Sequence, residues 1–140
     1  MTLQEAAAAG RRKPRITLSV EDFEQLSVLA RAAMSRLPDI ASELTDELER
    51  AELVPAADYL GGVVCMGSEV TFRDESTGKT QRVTLVYPDK ADIAQSRVSV
   101  LTPIGTALIG LRIGASIEWE TRTGEVRELT VLDVAPPPRP

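Results

Sequence analysis

Apolar residues recur every three or four positions between Val20 and Leu37, which is the spacing of one face of an α-helix. Ser19 can cap the start of this helix, with Asp22 three residues later. Pro38 disfavours helical geometry at the residue before it, so the helix is predicted to end at Leu37. The apolar stripe comprises Val20, Phe23, Leu26, Leu29, Ala30, Ala33, Met34 and Leu37.

A second amphipathic helix is predicted from Asp39, a favourable N-cap, to a point shortly before Pro55. The tight turn between the helices predicts an antiparallel helical hairpin, a short coiled coil, over residues 15–55. The second helix also carries acidic residues that are interpreted as a solvated outer face, with a basic surface on a partner as the alternative. These are Asp39, Glu43, Asp46, Glu47, Glu49 and Glu52.

The pattern changes after Gly61-Gly62 to short segments in which apolar and polar residues alternate, which is typical of half-buried strands. Between the predicted strands Arg97–Leu101 and Ser116–Glu120, Thr102 can cap a short helix and Pro103 suits its first position. Ile104, Leu108 and Ile109 are expected to close the open face of the sheet. The predicted strands are Val63–Met66, Glu69–Arg73, Arg82–Val86, Arg97–Leu101, Ser116–Glu120 and Val126–Val134.

This organisation predicts an α+β protein. We expect a disordered tail at residues 1–14, with a basic cluster from Arg11 to Arg15, and a linker at 56–62 after the hairpin. A second domain spans 63–135, and a Pro-rich tail follows at 136–140. The basic cluster is interpreted as a solvated arm, with a phosphate contact as the alternative.

Composition excludes several classes of function. The 140 residues contain no histidine and one cysteine, which removes a phosphohistidine, an internal disulfide and a structural zinc site. We therefore expect no metal and no cofactor. The net charge of −5 argues against direct DNA binding. The chain has no apolar run long enough for a membrane span and no secretory signal, so a cytoplasmic monomer without membrane contact is expected.

The second domain resembles the C-terminal domain of the GreA/GreB transcription factors. The shared elements are Gly67-Ser68-Glu69-Val70, Leu85-Val86-Tyr87-Pro88, Arg97-Val98-Ser99 and the ordered string Thr102-Pro103-Ile104-Gly105-Thr106-Ala107-Leu108-Ile109-Gly110-Leu111-Arg112-Ile113-Gly114. Trp119 and the Tyr87-Pro88 pair, together with the short helical hairpin, are similar to the subfamily called regulators of nucleoside diphosphate kinase (Rnk). The resemblance implies an FKBP-like antiparallel half-barrel around a short helix.

The resemblance also implies a partner. Gre factors dock their C-terminal domain at the secondary channel of RNA polymerase and present two acidic residues at the tip of a long finger to the catalytic magnesium. The matching docking residues here are Thr102, Pro103, Ile104, Gly105 and Leu108, and the candidate tip acids are Asp39 and Glu43. Their spacing differs from the Gre pair and the hairpin is short. The resemblance therefore implies a polymerase-binding regulator that is not an enzyme and has no catalytic residues.

Three other functions stay open at this point. The chain could stimulate transcript cleavage as Gre factors do, or it could influence nucleoside diphosphate kinase levels indirectly. The FKBP-like fold by itself would also suggest a peptidyl-prolyl isomerase, although fold does not determine function. Such a pocket needs clustered aromatic residues, and the chain has only Phe23, Tyr59, Phe72, Tyr87 and Trp119.

Overall fold

A computed structural model describes residues 14–55 and 61–137. In chain order the elements are β1 (Thr17–Ser19), α1 (Val20–Ala33), α2 (Pro38–Arg50), β2 (Glu52–Val54), β3 (Glu69–Asp74), β4 (Thr80–Val86), β5 (Arg97–Ser99), α3 (Pro103–Leu108), β6 (Ser116–Glu120) and β7 (Val126–Ala135). The predicted linker at 56–62 and the two predicted tails lie largely outside the described residues, and Arg11 to Lys13 of the basic cluster lie entirely outside them.

The first helix begins where the sequence predicts. Ser19 is its N-cap, and the Ser19 hydroxyl accepts a hydrogen bond from the backbone N–H of Asp22 at 3.1 Å. The helix ends at Ala33, however, one turn before the predicted end at Leu37. A turn over Met34 to Arg36 follows, and Leu37 N–H still donates to the carbonyl of Ala33 at 2.8 Å.

The second helix begins one residue earlier than predicted, and Asp39 is not its N-cap. Pro38 occupies the first helical position, where its fixed φ and missing N–H are tolerated, so that Leu37 becomes the N-cap without a side-chain hydrogen bond. Asp39 lies inside the first turn instead. A carboxylate there is favourably placed against the positive end of the helix dipole.

A two-stranded parallel sheet that the sequence did not predict closes the base of the hairpin. Thr17 pairs with Glu52, Leu18 with Leu53 and Ser19 with Val54. The strand β1 is also attached to the second domain, because the N–H of Thr17 donates to the carbonyl of Gly110 at 3.1 Å. Each strand has only three residues, which is too short for an alternating pattern to be recognised.

The second domain is a curled five-stranded half-barrel with strand order β5-β4-β3-β7-β6. Three of its strand pairs are antiparallel, as expected, whereas β4 and β5 are parallel. The segment Val63–Met66 is not a strand and contributes a single bridge between Val63 and Arg112. Both bounds of β4 and of β7 lie within two residues of the predicted bounds.

The hairpin and the half-barrel share one hydrophobic core. Leu26 of α1 and Leu44 of α2 are completely buried in the same cluster as Leu85 and Leu129 of the sheet. Helix α2 packs directly against α3. The apolar stripe of α2 is therefore covered by α1 and by the second domain.

Candidate partner-binding surface

The corner that precedes α3 is tightly constrained by its own hydrogen bonds. The Thr102 hydroxyl donates to the carbonyl of Ser99 at 2.7 Å and accepts from the N–H of Gly105 at 3.0 Å. The buried Thr106 hydroxyl donates to the carbonyl of Val100 at 2.7 Å. This network links the end of β5 to the first turn of α3, so the residues at the corner have a fixed position.

Glycine is required at position 105 because the chain passes very close to it. A Cβ atom built on Gly105 would lie 2.1 Å from the carbonyl oxygen of Ser99 and 2.9 Å from the Cα of Val100. Both neighbours are backbone atoms that cannot move aside easily. Position 105 in the corner sequence Thr102-Pro103-Ile104-Gly105 therefore admits only glycine in this conformation, and the reason is steric.

Only part of the predicted docking set is accessible. Thr102, Pro103 and Ile104 are half-buried and reach the surface. Gly105 is buried, and Leu108 is completely buried in the core. Leu108 therefore fills the half-barrel, and a partner can contact the corner directly through its first three residues.

The two candidate tip acids lie one helical turn apart on α2, and both are exposed. They face the same crevice as Pro103, a space of about 480 Å³ that is also lined by Arg122 and Gly124 of the β6–β7 turn. The structure thus brings together Asp39, Glu43 and Pro103, which the sequence suggested as two separate sites.

A second crevice, of about 200 Å³, adjoins the first between α2 and β6. Pro103, Glu43 and Glu120 line both spaces. Asp46, Glu118 and Trp119 line only the narrower crevice. The indole N–H of Trp119 is buried without a hydrogen-bond partner among the described residues. Sequence reasoning did not assign Glu118, Trp119 or Arg122 to this surface. The only sequence signals for these three residues were the alternation of apolar and polar residues along β6 and the turn that follows it.

Glu47 departs from the predicted solvated face of α2. It is 4% exposed and forms an ion pair with Arg50, one turn later. Arg50 also donates to the carbonyl of Pro14, and its partial burial lowers the pKa of the guanidinium. The Arg50 side chain thus joins α2 to the segment that enters β1, and Glu47 supplies the charge that balances it.

A half-buried carboxylate, Asp22, lies in the first turn of α1. The Asp22 carboxylate accepts a hydrogen bond from the N–H of Met66 at 3.1 Å. Burial raises the pKa of Asp22, and this hydrogen bond opposes the shift only in part. Burial also raises the pKa of Tyr87 to about 12, with a further contribution from the Asp22 charge. This contact fixes α1 to the loop that leads into β3.

The described residues contain no group of three His, Cys, Asp or Glu side chains that could hold a metal ion. Among the helices of residues 14–55 and 61–137, none has both the length and the apolar character required to cross a bilayer.

Comparison with known proteins places this geometry in a family. Residues 60–136 match the model of the transcription elongation factor GreA/GreB C-terminal domain, and residues 14–54 match the Rnk N-terminus. The chain belongs to the GreA/GreB family and to its Rnk subfamily. A regulator of nucleoside diphosphate kinase from Escherichia coli K12 is 39% identical over 123 residues, which are 87% of this chain and 90% of that protein.

Two GreA/GreB relatives support the same assignment. A transcription elongation factor GreA from Beijerinckia indica is 36% identical over 106 residues, covering 76% of this chain and 67% of the relative. The solved structure of a GreA/GreB transcription elongation factor from Nitrosomonas europaea is 37% identical and has a TM-score of 0.70. It aligns with 89% of this chain and 100% of its own. This Rnk-type chain is therefore a Gre-like regulator from a family of transcription factors rather than of enzymes.

Proposed function

We propose that this protein binds RNA polymerase at the rim of the secondary channel and regulates transcription elongation there. The observation that carries the proposal is the rigid Thr102-Pro103-Ile104 corner, which is accessible and lies beside the acidic face of α2. A rigid, partly apolar corner loses little conformational freedom on binding. Carboxylates around it favour a partner surface that is basic.

We also propose that the protein does not stimulate transcript cleavage. Helices of 14 and 13 residues extend about 20 Å, at about 1.5 Å per residue. Asp39 and Glu43, although exposed, line a crevice against the protein's own second domain. The protein would then act by occupying the channel rim and excluding longer Gre factors, as a cytoplasmic monomer without direct DNA binding.

Binding to core RNA polymerase tests the docking surface. We expect Ile104→Glu to lower the affinity at least about tenfold, which corresponds to about 1.4 kcal/mol. The control is Ile93→Glu, which makes the same change at a position that is 90% exposed and lies outside the Thr102-Pro103-Ile104 corner. Equal affinities for the two variants, with both folded, would exclude the corner as the docking site.

Backtracked elongation complexes test the absence of cleavage. We expect the protein to release no short 3′ RNA fragments and to slow the cleavage that an added Gre factor stimulates. Release of such fragments by the protein itself, and their loss on Asp39→Asn with Glu43→Gln, would instead favour the alternative of a Gre-like cleavage stimulator. The exposure of both acids is the observation that supports that alternative.

The name of the Escherichia coli relative suggests a link to nucleoside diphosphate kinase. We propose that any such link is indirect and acts through transcription, because a chain without histidine cannot carry a phosphohistidine. With purified kinase, the protein should leave the rate of phosphate transfer unchanged. In cells that lack the protein, the amount of kinase should change together with its transcript.

A further inference from the structure

The crevice of about 480 Å³ beside Pro103 is lined by apolar side chains from several parts of the fold. Ile40 of α2 and Leu101, which precedes α3, are half-buried there. Leu37, in the turn between the two helices, is 48% exposed. An apolar surface that stays open beside a rigid corner is suited to contact with another protein.

Carboxylates accompany these apolar residues on two sides of the crevice. Asp39 and Glu43 lie on α2, Glu120 lies at the end of β6, and all three are exposed. Arg122, in the β6–β7 turn, is the only cationic side chain among the described residues that line this space. Three carboxylates against one guanidinium give the crevice a net negative charge at neutral pH, so it favours a positively charged occupant.

The charge of the crevice also distinguishes between classes of occupant. The phosphates of DNA or RNA would be repelled there. A second copy of this chain is unfavourable as well, because its net charge is −5. A lysine or arginine of a partner protein fits both features of the crevice, since its aliphatic stem can cover apolar surface while its charged end stays beside the carboxylates.

We propose that the crevice receives a lysine or arginine side chain from the polymerase surface that contacts the Thr102-Pro103-Ile104 corner. The aliphatic stem of that side chain packs against Leu37, and its charged end lies beside Asp39 and Glu120. Arg122 repels the same charge and limits the affinity. The β6–β7 turn is thus part of the docking surface. The assignment rests on the proposed function, since it requires polymerase to contact that corner.

Opposite effects of two kinds of substitution test the proposal. Asp39→Asn and Glu120→Gln should each weaken binding to core RNA polymerase about two- to fivefold at low salt, because each removes a carboxylate beside the bound cation. Arg122→Gln should instead strengthen binding by a similar factor, because it removes a repulsive charge. These differences should shrink when the salt concentration is raised to about 0.5 M, since surface charges are then screened.

The matched control is Glu49→Gln, because Glu49 is an exposed acid of α2 that lies outside both crevices. It changes the net charge by the same amount and should alter the affinity by less than about 1.5-fold. Circular dichroism checks that each variant is folded. A folding defect can weaken binding but cannot strengthen it, so the result for Arg122→Gln does not depend on that check.

Unchanged or weaker binding of Arg122→Gln would overturn the proposal, as would a loss of affinity in Glu49→Gln equal to that in Asp39→Asn. If the crevice variants bind like the unmodified protein while Ile104→Glu binds more weakly, the docking corner stands and the crevice has no role. If the unmodified protein does not bind polymerase, both are wrong. A dimer in sedimentation that Leu37→Glu dissociates would assign the crevice to a second copy and would also overturn the proposal.

Discussion

The two helices of the hairpin contact the half-barrel in different ways. Helix α1 is joined to the loop before β3 by one half-buried carboxylate, Asp22, while Val28 stays exposed beside an apolar groove. Helix α2 is strongly acidic, yet it buries Glu47 and turns Glu43 and Asp46 towards α3 and β6. The comparison teaches that charge density alone does not indicate which face of a helix is exposed to solvent.

The largest effect is expected from truncating the shared core on the α2 side. Leu44→Ala removes a completely buried side chain and should lower the free energy of unfolding by about 2–5 kcal/mol. Because the hairpin and the half-barrel share this core, circular dichroism at 222 nm and Trp119 fluorescence should report one transition. Separate transitions for the two signals would show that α2 is only loosely attached.

The attachment of the hairpin base can be tested with a pair of glycine variants. Gly110 and Gly78 both have positive φ, so alanine strains either position by about 1–2 kcal/mol. Only at Gly110 would the new Cβ meet a neighbour, since Ile16 Cβ would lie 2.7 Å away. Gly110→Ala should therefore cost about 1–3 kcal/mol more than Gly78→Ala in urea unfolding. Equal costs would mean that Ile16 moves aside freely.

The difference between buried and exposed acids on α2 can be measured directly. Glu47→Gln weakens the pair with Arg50 and should cost about 1–3 kcal/mol in thermal or urea unfolding. Glu49→Gln, two residues later at an exposed position, should change stability by less than about 0.5 kcal/mol. If both substitutions had the same small effect, α2 would have one uniformly solvated face, as the sequence first suggested.

The smallest effect concerns Asp22 on the α1 side and depends on pH. Its pKa is raised in the folded protein, so the folded state binds the proton more tightly than the unfolded state does. Its contribution to stability is therefore fully present below the unfolded pKa and is lost as pH rises through the folded pKa. Asp22→Asn should be relatively more stable at pH 7 than at pH 3 when unfolding is compared with the unmodified protein. A difference that does not change with pH would contradict this.

Local sequence signals predicted the elements well where a single residue type determines the geometry. Ser19 and Thr102 cap their helices as expected, and Pro103 occupies the first position of α3. Asp39 was assigned wrongly because two capping signals competed, and the proline at the first helical position prevailed over the carboxylate. The family assignment was also available from the ordered string that begins at Thr102.

The arrangement of elements relative to each other was not available from the sequence. Periodicity shows that α2 has an apolar side but not which surface covers it, so the contact with α3 and the burial of Glu47 were missed. The crevice residues Glu118, Trp119 and Arg122 come from a strand and a turn distant in sequence from α2. Pairing of β1 with β2 likewise depends on tertiary contact over three residues.

The parallel pairing of Thr17–Ser19 with Glu52–Val54 places the entry and the exit of the hairpin side by side. Because β1 and β2 hold the two ends of the hairpin together, the helices can change in length at the turn between them without changing the base. Insertion of matched heptads on either side of the Met34 to Leu37 turn would then lengthen the coiled coil while the clamp and the half-barrel keep their geometry. The same base would in this way carry hairpins of very different reach, with the length of the two helices as the only variable.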